Sequence, residues 1–278
     1  MSGDVDLKGK VAVVTGSSRG LGKRVALRLA RHGAAVALVA RSADALEQTA
    51  DEIRAAGGMA VPIPENLFDL SAAERVKAAV EASLGKPSIL VNSAGIFGPI
   101  ELIKDVDAQQ WLETMTINML VPVLLARAFV NGMIEQGWGR IVNFTSAASL
   151  HNPSGLNSAY ATSKVALNQF TRHLAAELEG TGVTANVLHP GDVKTEMWEY
   201  IRNTAAASDA PGAEAYRQWV SWVEQTGGDD PEKAADLVLN LMSEAAASVS
   251  GQFLWIEDPL QAPIPSWGEP TSTQPWRK

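Results

Sequence analysis

The sequence predicts a doubly wound α/β fold: a seven-stranded, mostly parallel sheet with helices on both faces. Short β-branched runs alternate with amphipathic stretches along nearly the whole chain, the pattern of βα units wound around a buried parallel sheet. A glycine-rich turn, Gly16-Ser-Ser-Arg-Gly-Leu-Gly22, joins the first strand-like run to the first helix-like one. No linker interrupts the alternation, so the 278 residues are expected to form one domain.

Lys10 to Thr15 (KVAVVT) reads as the first buried strand, and the helix after the glycine turn continues through Val25, Leu29 and Ala30. Glycines at such a turn let backbone approach a pyrophosphate, which the N–H groups of the helix N-terminus then bind. Ala35 to Ala40 is the second strand, and Arg41-Ser42 follows it. An acid there would hydrogen-bond a ribose 2′-hydroxyl and repel a 2′-phosphate, whereas a guanidinium can hold that phosphate bidentately. Arg41, helped by Arg19 and Ser42, therefore points to NADP, with NAD as the alternative if Arg41 is only a solvated charge.

Ala43 to Ala56 is an amphipathic helix with Leu46, Ala50 and Ile53 inward and Gly57-Gly58 at its end. Met59 to Pro64 is the third strand and leads into Glu65-Asn66-Leu67; Asp69 fits the start of a helix over Ser71 to Leu84. Ile89 to Val91 enters Asn92-Ser-Ala-Gly95. A long helix from about Ala108 to Gln136 carries Asn118 among Met115, Ile117, Met119 and Leu120, where a buried amide needs partners. Gly139 to Thr145 is the fifth strand and delivers Ser146 at its carboxyl end, where doubly wound sheets place their ligands.

After a turn containing His151, Tyr160 to Ala176 reads as a helix. The four-residue spacing sets Tyr160 and Lys164 on one face, where an ammonium would favour the phenolate of a Tyr whose ordinary pKa is about 10. Ser146 can then donate to a substrate carbonyl while Tyr160 moves the proton. Val183 to His189 is the sixth strand, followed by Pro190-Gly191-Asp-Val-Lys-Thr195. The segment 196–228 holds Met197, Trp198, Tyr200, Ile201, Tyr216, Trp219 and Trp222. It reads as a lid over an apolar or aromatic substrate, with a satellite core or a subunit contact as equal alternatives. Asp230-Pro231-Glu232 opens the last helix, Gly251 to Ile256 is the seventh strand, and a Pro-rich tail over 257–278 is expected to run extended.

Composition narrows the class. The formal net charge of −8 argues against a nucleic-acid surface. The chain has no Cys, which removes disulfides and thiolate metal sites, and its histidines show no metal-ligand spacing. No apolar run approaches the roughly eighteen residues of a membrane span. Met1 to Lys10 lacks the pattern of an export signal, so the cytoplasm is the expected compartment.

Thr15-Gly-x-x-x-Gly-x-Gly22, Asn92-Ser-Ala-Gly95, Asn118, Ser146 with Tyr160-x-x-x-Lys164, and Pro190-Gly191 together resemble the short-chain dehydrogenase/reductase family in its single-domain form. The resemblance extends to about Ile256, with Ser93 and Ser88 where relatives often have Asn and Asp. It implies a Rossmann-type dinucleotide-binding fold and an NAD(P)-dependent oxidoreductase acting on CH–OH or C=O groups. Tyr160 would be the general acid/base and Lys164 would lower its pKa and hold the nicotinamide ribose. Ser146 would polarise the substrate oxygen and Asn118 would support a water relay. Cofactor contacts would come from Gly16, Ser18, Arg19, Gly20, Leu21 and Gly22 in the glycine turn, from Arg41 and Ser42, and from Asn66 and Leu67 at the adenine, with Asp69 the competing residue there if the loop is shifted. Asn92, Ala94 and Gly95 would pass beneath the ribose, with Pro190, Gly191, Val193 and Thr195 at the nicotinamide. A homodimer or homotetramer is also implied. The rival readings are a non-catalytic dinucleotide sensor or scaffold of the same fold, and a lyase or epimerase that reuses a bound nicotinamide.

Overall fold

A computed structural model describes residues 5–150 and 155–256. Seven strands form one sheet in the order β3-β2-β1-β4-β5-β6-β7. They are β1 (Val11–Thr15), β2 (Ala35–Ala40), β3 (Met59–Pro64), β4 (Ile89–Asn92), β5 (Gly139–Phe144), β6 (Val183–His189) and β7 (Phe253–Trp255). Every pairing is parallel. The strand order turns back between β1 and β4, which opens a crevice at the carboxyl ends of these strands.

Alternation along each strand sends side chains to two cores. Ala12, Val14, Leu38, Val91 and Val142 face α1 (Gly20–Arg31), α2 (Ala43–Ala55) and α9 (Pro231–Leu241), joining Val25, Leu29, Ile53 and Val238. Val13, Val39, Leu90 and Ile141 face the other way. There they meet Val76 and Val80 of α3 (Ala72–Ser83), Leu125, Phe129 and Met133 of α5 (Val121–Glu135) and Leu174 of α6 (Ser158–Glu177). Each large apolar side chain fully removed from water contributes about 1.5–3 kcal/mol. These contacts therefore hold the strand ends, and the crevice, in place.

The long helix expected over Ala108 to Gln136 is α4 (Ala108–Met115), a π-helical stretch over Thr116–Leu120 and then α5. The π stretch contains Asn118. No unbroken apolar run of membrane-spanning length occurs, but Ala108–Glu135 as a whole has the length and mean apolar composition of a membrane span. Half of its most apolar eighteen-residue window is buried inside the protein, so packing against the sheet accounts for much of its apolar content. Segment 196–228 forms two helices, α7 (Glu196–Ala206) and α8 (Ala213–Thr226), above the carboxyl ends of the sheet. His151 and the tail at 257–278 lie outside the described residues.

Candidate active site

The glycine turn is shaped by what a side chain would strike. Gly16 has φ +67, and a Cβ there would lie 2.9 Å from Ala94 Cα. A Cβ on Gly22 would come within 2.5 Å of the Gly16 carbonyl oxygen. Gly20, at φ +57, faces open space. Arg19 occupies the N-cap of α1 without making a side-chain capping bond, and no acid lies in the first turn. The N–H groups at this helix end are thus left for an anion. The Ser17 hydroxyl beside them is buried with no partner. Open space, uncapped donors and an orphaned hydroxyl fit a dinucleotide phosphate.

The end of β4 is tied to β1 through Thr15, whose hydroxyl accepts from the N–H groups of Ser93 (3.2 Å) and Ala94 (3.1 Å). Ser93 donates back to the Thr15 carbonyl. Asn92 donates to Asn143 Oδ1 at 2.8 Å, and Asn143 donates to Thr171 Oγ1 at 2.8 Å, a buried chain that joins β4, β5 and α6. Asn143 was not singled out from the sequence, because an Asn inside an apolar strand carries no motif.

The other cofactor candidates are less uniform. Arg41 is exposed and makes no ion pair among the described residues; its guanidinium lies 6.0 Å from the Phe68 ring centroid. Ser42 is instead the N-cap of α2, accepting from Ala45 N. Arg19 forms an ion pair with Glu196 at the start of α7. The exposed Asn66 folds its Oδ1 onto Phe68 N at 3.3 Å, and Leu67 is buried. Asp69 accepts from both the N–H and the hydroxyl of Ser71. Thr195 caps α7 by accepting from Trp198 N. These caps arise because short hydroxyl side chains at helix starts find unpaired N–H groups within reach.

Ser146, Tyr160 and Lys164 converge at the carboxyl end of β5. The Ser146 hydroxyl accepts from Ala148 N at 3.2 Å and lies close enough to the Tyr160 phenol to favour its anion. Lys164 Nζ donates to the Phe144 carbonyl at 2.8 Å and lies 5.5 Å from the Tyr160 ring centroid. The Ser146 turn is itself fastened: Ser149 Oγ donates to the Ser146 carbonyl at 2.6 Å and accepts from Asn168 at 2.8 Å. Burial pushes the Tyr160 phenol up to about 12, with Ser146 pulling it down and the Asp192 charge pushing it up. Burial also lowers the Lys164 ammonium to about 7. The expectation that Lys164 depresses the Tyr160 pKa is therefore not met in this state. An ammonium held down to about 7 is largely neutral above that pH and exerts little field.

Asn118 spends its amide on structure. Its Oδ1 accepts from Ile96 N at 2.9 Å, and its Nδ2 donates to the Ile96 carbonyl at 2.9 Å and to Ser163 Oγ at 3.0 Å. The side chain clamps the turn after β4 to the π stretch, beside Gly95 and Lys164. A buried amide in mid-helix must be satisfied, and the neighbouring backbone supplies the partners.

On the substrate side, a cavity of about 560 Å³ opens at Ser146. Phe97, Ile201, Tyr216 and Trp219 form its apolar wall, and His189, Asp192 and Asn157 also line it. Phe97 stacks on Tyr160 with ring centroids 4.6 Å apart. Trp198 and Ile201 are buried in the same apolar cluster as Tyr160, whereas Trp222 is 49% exposed and Tyr200 reaches out to the Gly98 carbonyl. His189 Nδ1 accepts from Ala147 N at 3.3 Å, which assigns its proton to the other ring nitrogen. Among the described residues there is no group of His and acids that could hold a metal.

Comparison with known proteins agrees with this geometry. The family model for short chain dehydrogenases matches residues 10–206. A short chain dehydrogenase from Pseudocercospora fijiensis is 40% identical over 214 residues, which are 76% of this chain and 69% of that protein. Galactitol 2-dehydrogenase (L-tagatose-forming) from Cereibacter sphaeroides is 35% identical over 252 residues, covering 90% and 94% of the two chains. The crystal structure of L-sorbose reductase from Gluconobacter frateurii, complexed with NADPH and L-sorbose, is 29% identical with a TM-score of 0.80 over 91% and 97% of the chains. The chain belongs to the short-chain dehydrogenase family and is an oxidoreductase of the NAD(P)-dependent kind.

Proposed function

We propose that the protein reduces a ketone or aldehyde with NADPH, Tyr160 giving the proton to the substrate oxygen. The observation that carries this reading is the convergence of Ser146, which lines the cavity, with the buried Tyr160 phenol that it influences and with Lys164 one helical turn away. A bound nicotinamide would supply the hydride. The chain's own groups do the rest. Ser146 donates to the carbonyl oxygen and Tyr160, neutral at physiological pH because burial holds it near 12, transfers its proton there as negative charge builds. Lys164, beside Gly95 and the Tyr160 ring, would hold the nicotinamide ribose and, when charged, would offset the phenolate. The clamp between Asn118 and Ile96 holds that floor in place.

Preference for the phosphorylated dinucleotide is supported by Arg41, whose guanidinium makes no ion pair among the described residues and follows a strand that ends in Ala40. The L-sorbose reductase complex with NADPH agrees with that preference by similarity. The exposed Leu112 on α4 and Val165 on α6 support a homo-oligomer that buries these helices. Light scattering on the eluting protein tests it, and a strict monomer would remove it.

The function is tested by following NADPH absorbance with a panel of ketones and aldehydes across pH. Reduction is expected to hold constant through neutral pH and to fall only as the phenol ionises under strongly alkaline conditions. Saturable cofactor binding without turnover of any carbonyl or alcohol would instead favour the sensor reading.

A further inference from the structure

Helix α6 grips three successive residues at the carboxyl end of β5. Lys164 Nζ holds the Phe144 carbonyl. One turn further along the helix, Asn168 stands on the same face as Tyr160 and Lys164. Thr145 Oγ1 donates to Asn168 Oδ1 at 2.5 Å, and Asn168 Nδ2 donates to Ser149 Oγ at 2.8 Å. Ser149 gives both its hydroxyl proton, at 2.6 Å, and its N–H, at 3.0 Å, to the Ser146 carbonyl. A single amide thus ties the residue before Ser146 and the residue three after it to the helix that carries Tyr160 and Lys164.

The direction of this chain follows from proton supply. A hydroxyl has one proton, and that of Ser149 goes to the Ser146 carbonyl, so its neighbour on α6 must be a donor. The amide nitrogen of Asn168 is that donor, which leaves Oδ1 to accept from Thr145. An Asp at this position would offer acceptors alone and draw the Ser149 proton away from Ser146. Asn168 is half-buried, and Thr145 and Ser149 are buried, so water is a poor substitute for the lost partners.

What the chain holds is the reacting end of the cavity. Ser146, Ala147 and Ala148 line it, whereas Thr145, Ser149 and Asn168 are not among the described residues that do. With the turn closed, Ser146 Oγ accepts from Ala148 N, and its proton is left for a substrate oxygen. A misplacement of about 1 Å at such a donor lowers the rate by about a hundredfold.

We propose that Asn168 is a positioning residue for the reaction: through Thr145 and Ser149 it sets the Ser146 hydroxyl in register with the Tyr160 phenol. The inference rests on the reductase reading above. In this role Asn168 acts on the chemical step and leaves the dinucleotide site alone.

The test compares wild type with Asn168→Asp, Asn168→Ala, Ser149→Ala and Thr145→Ser. Steady-state kinetics with NADPH and a ketone give kcat and KM, nicotinamide fluorescence gives cofactor affinity, and amide hydrogen exchange reports on segment 145–150. Both Asn168 variants are expected to lower kcat about ten- to a hundredfold, with KM and NADPH affinity nearly unchanged and exchange in 145–150 faster. Ser149→Ala removes the last bond to Ser146 without touching α6 and carries the same expectation, which keeps the test decisive if an Asn168 variant fails to fold. Combining Ser149→Ala with Asn168→Asp should be no worse than either alone, because both break one chain. Thr145→Ser keeps the hydroxyl and should keep kcat. Unchanged kcat in the Asn168 and Ser149 variants would overturn the inference, even with a lower melting temperature. So would a loss of kcat with unchanged exchange in 145–150. If the wild type reduces no carbonyl, exchange decides alone: loosening confined to 145–150 would keep the seating of Ser146 and remove the reductase, and unchanged exchange would remove both.

Discussion

On the β1 side of the cleft the surface offered to a ligand is backbone, whereas on the β6 side it is side chain. Gly16, Gly20 and Gly22 present N–H groups and empty space, and Thr15 ties the β4 turn to them with its hydroxyl. Across the cleft, Ile201 on α7, Tyr216 and Trp219 on α8 and Asp192 after β6 form the wall, joined by Phe97 from the segment after β4. The first wall suits a partner of constant shape, because a backbone cradle can recognise a phosphate but is not readily retuned. The second suits a partner that varies among relatives, because side chains can be exchanged while the sheet stays put.

The largest test of this contrast lies where the walls meet. Tyr160→Phe should lower kcat by about a hundred- to ten-thousandfold, the range that proton transfer by a placed side chain contributes. NADPH affinity, read by nicotinamide fluorescence, should be nearly unchanged. Turnover close to wild type would remove Tyr160 as the proton donor and leave the two walls without a shared chemical centre.

Next comes the backbone wall. Gly22→Ala forces a methyl against the Gly16 carbonyl and Ser93, and should cost about 1–3 kcal/mol of stability together with weaker binding of both dinucleotides. Denaturant midpoints and titration measure the two losses. Full stability with full affinity would mean that the turn is looser than its contacts indicate. The one side chain expected to discriminate on this wall is Arg41. Arg41→Ala should weaken NADPH about ten- to a hundredfold and leave NADH alone, the scale of charge-assisted hydrogen bonds. An equal effect on both cofactors would remove a 2′-phosphate role.

Lys164 gives a smaller, pH-dependent effect. Its ammonium falls from 10.5 in an unfolded chain to about 7 when folded. Between those values the unfolded chain binds more protons, so this group makes stability rise with pH across the window and penalises the fold below it. Lys164→Met should flatten that rise in apo-protein melting curves; an unchanged slope would mean that Lys164 stays charged in the folded state. The smallest effect is expected on the side-chain wall. Trp198→Phe should cost no more than about 1–2 kcal/mol, because the buried indole N–H has no partner to lose. A larger loss in denaturant would show that the wall is as tightly specified as the glycine turn.

Wherever one local physical rule decides the outcome, the sequence is enough. Short β-branched runs between amphipathic stretches placed the strands of the sheet, and steric exclusion at Gly16 and Gly22 made the glycine turn readable as a spacing. One helical turn put Tyr160 and Lys164 together. Contacts between distant segments follow no such rule. The Asn92–Asn143–Thr171 chain, the engagement of Asn118 with Ile96, the pairing of Arg19 with Glu196 and the seating of Asp192 against Asp229 each join residues far apart along the chain. Burial decided the protonation states in the same way. A Tyr and a Lys on one face suggest a lowered phenol pKa, but the desolvation that raises Tyr160 and lowers Lys164 depends on everything packed around them. The sequence by itself determined the layered fold and its glycine-lined turn, because both follow from short-range periodicity and sterics. Only the tertiary structure decided which side chains share the cavity and in what charge state, because burial is a property of the whole packed chain.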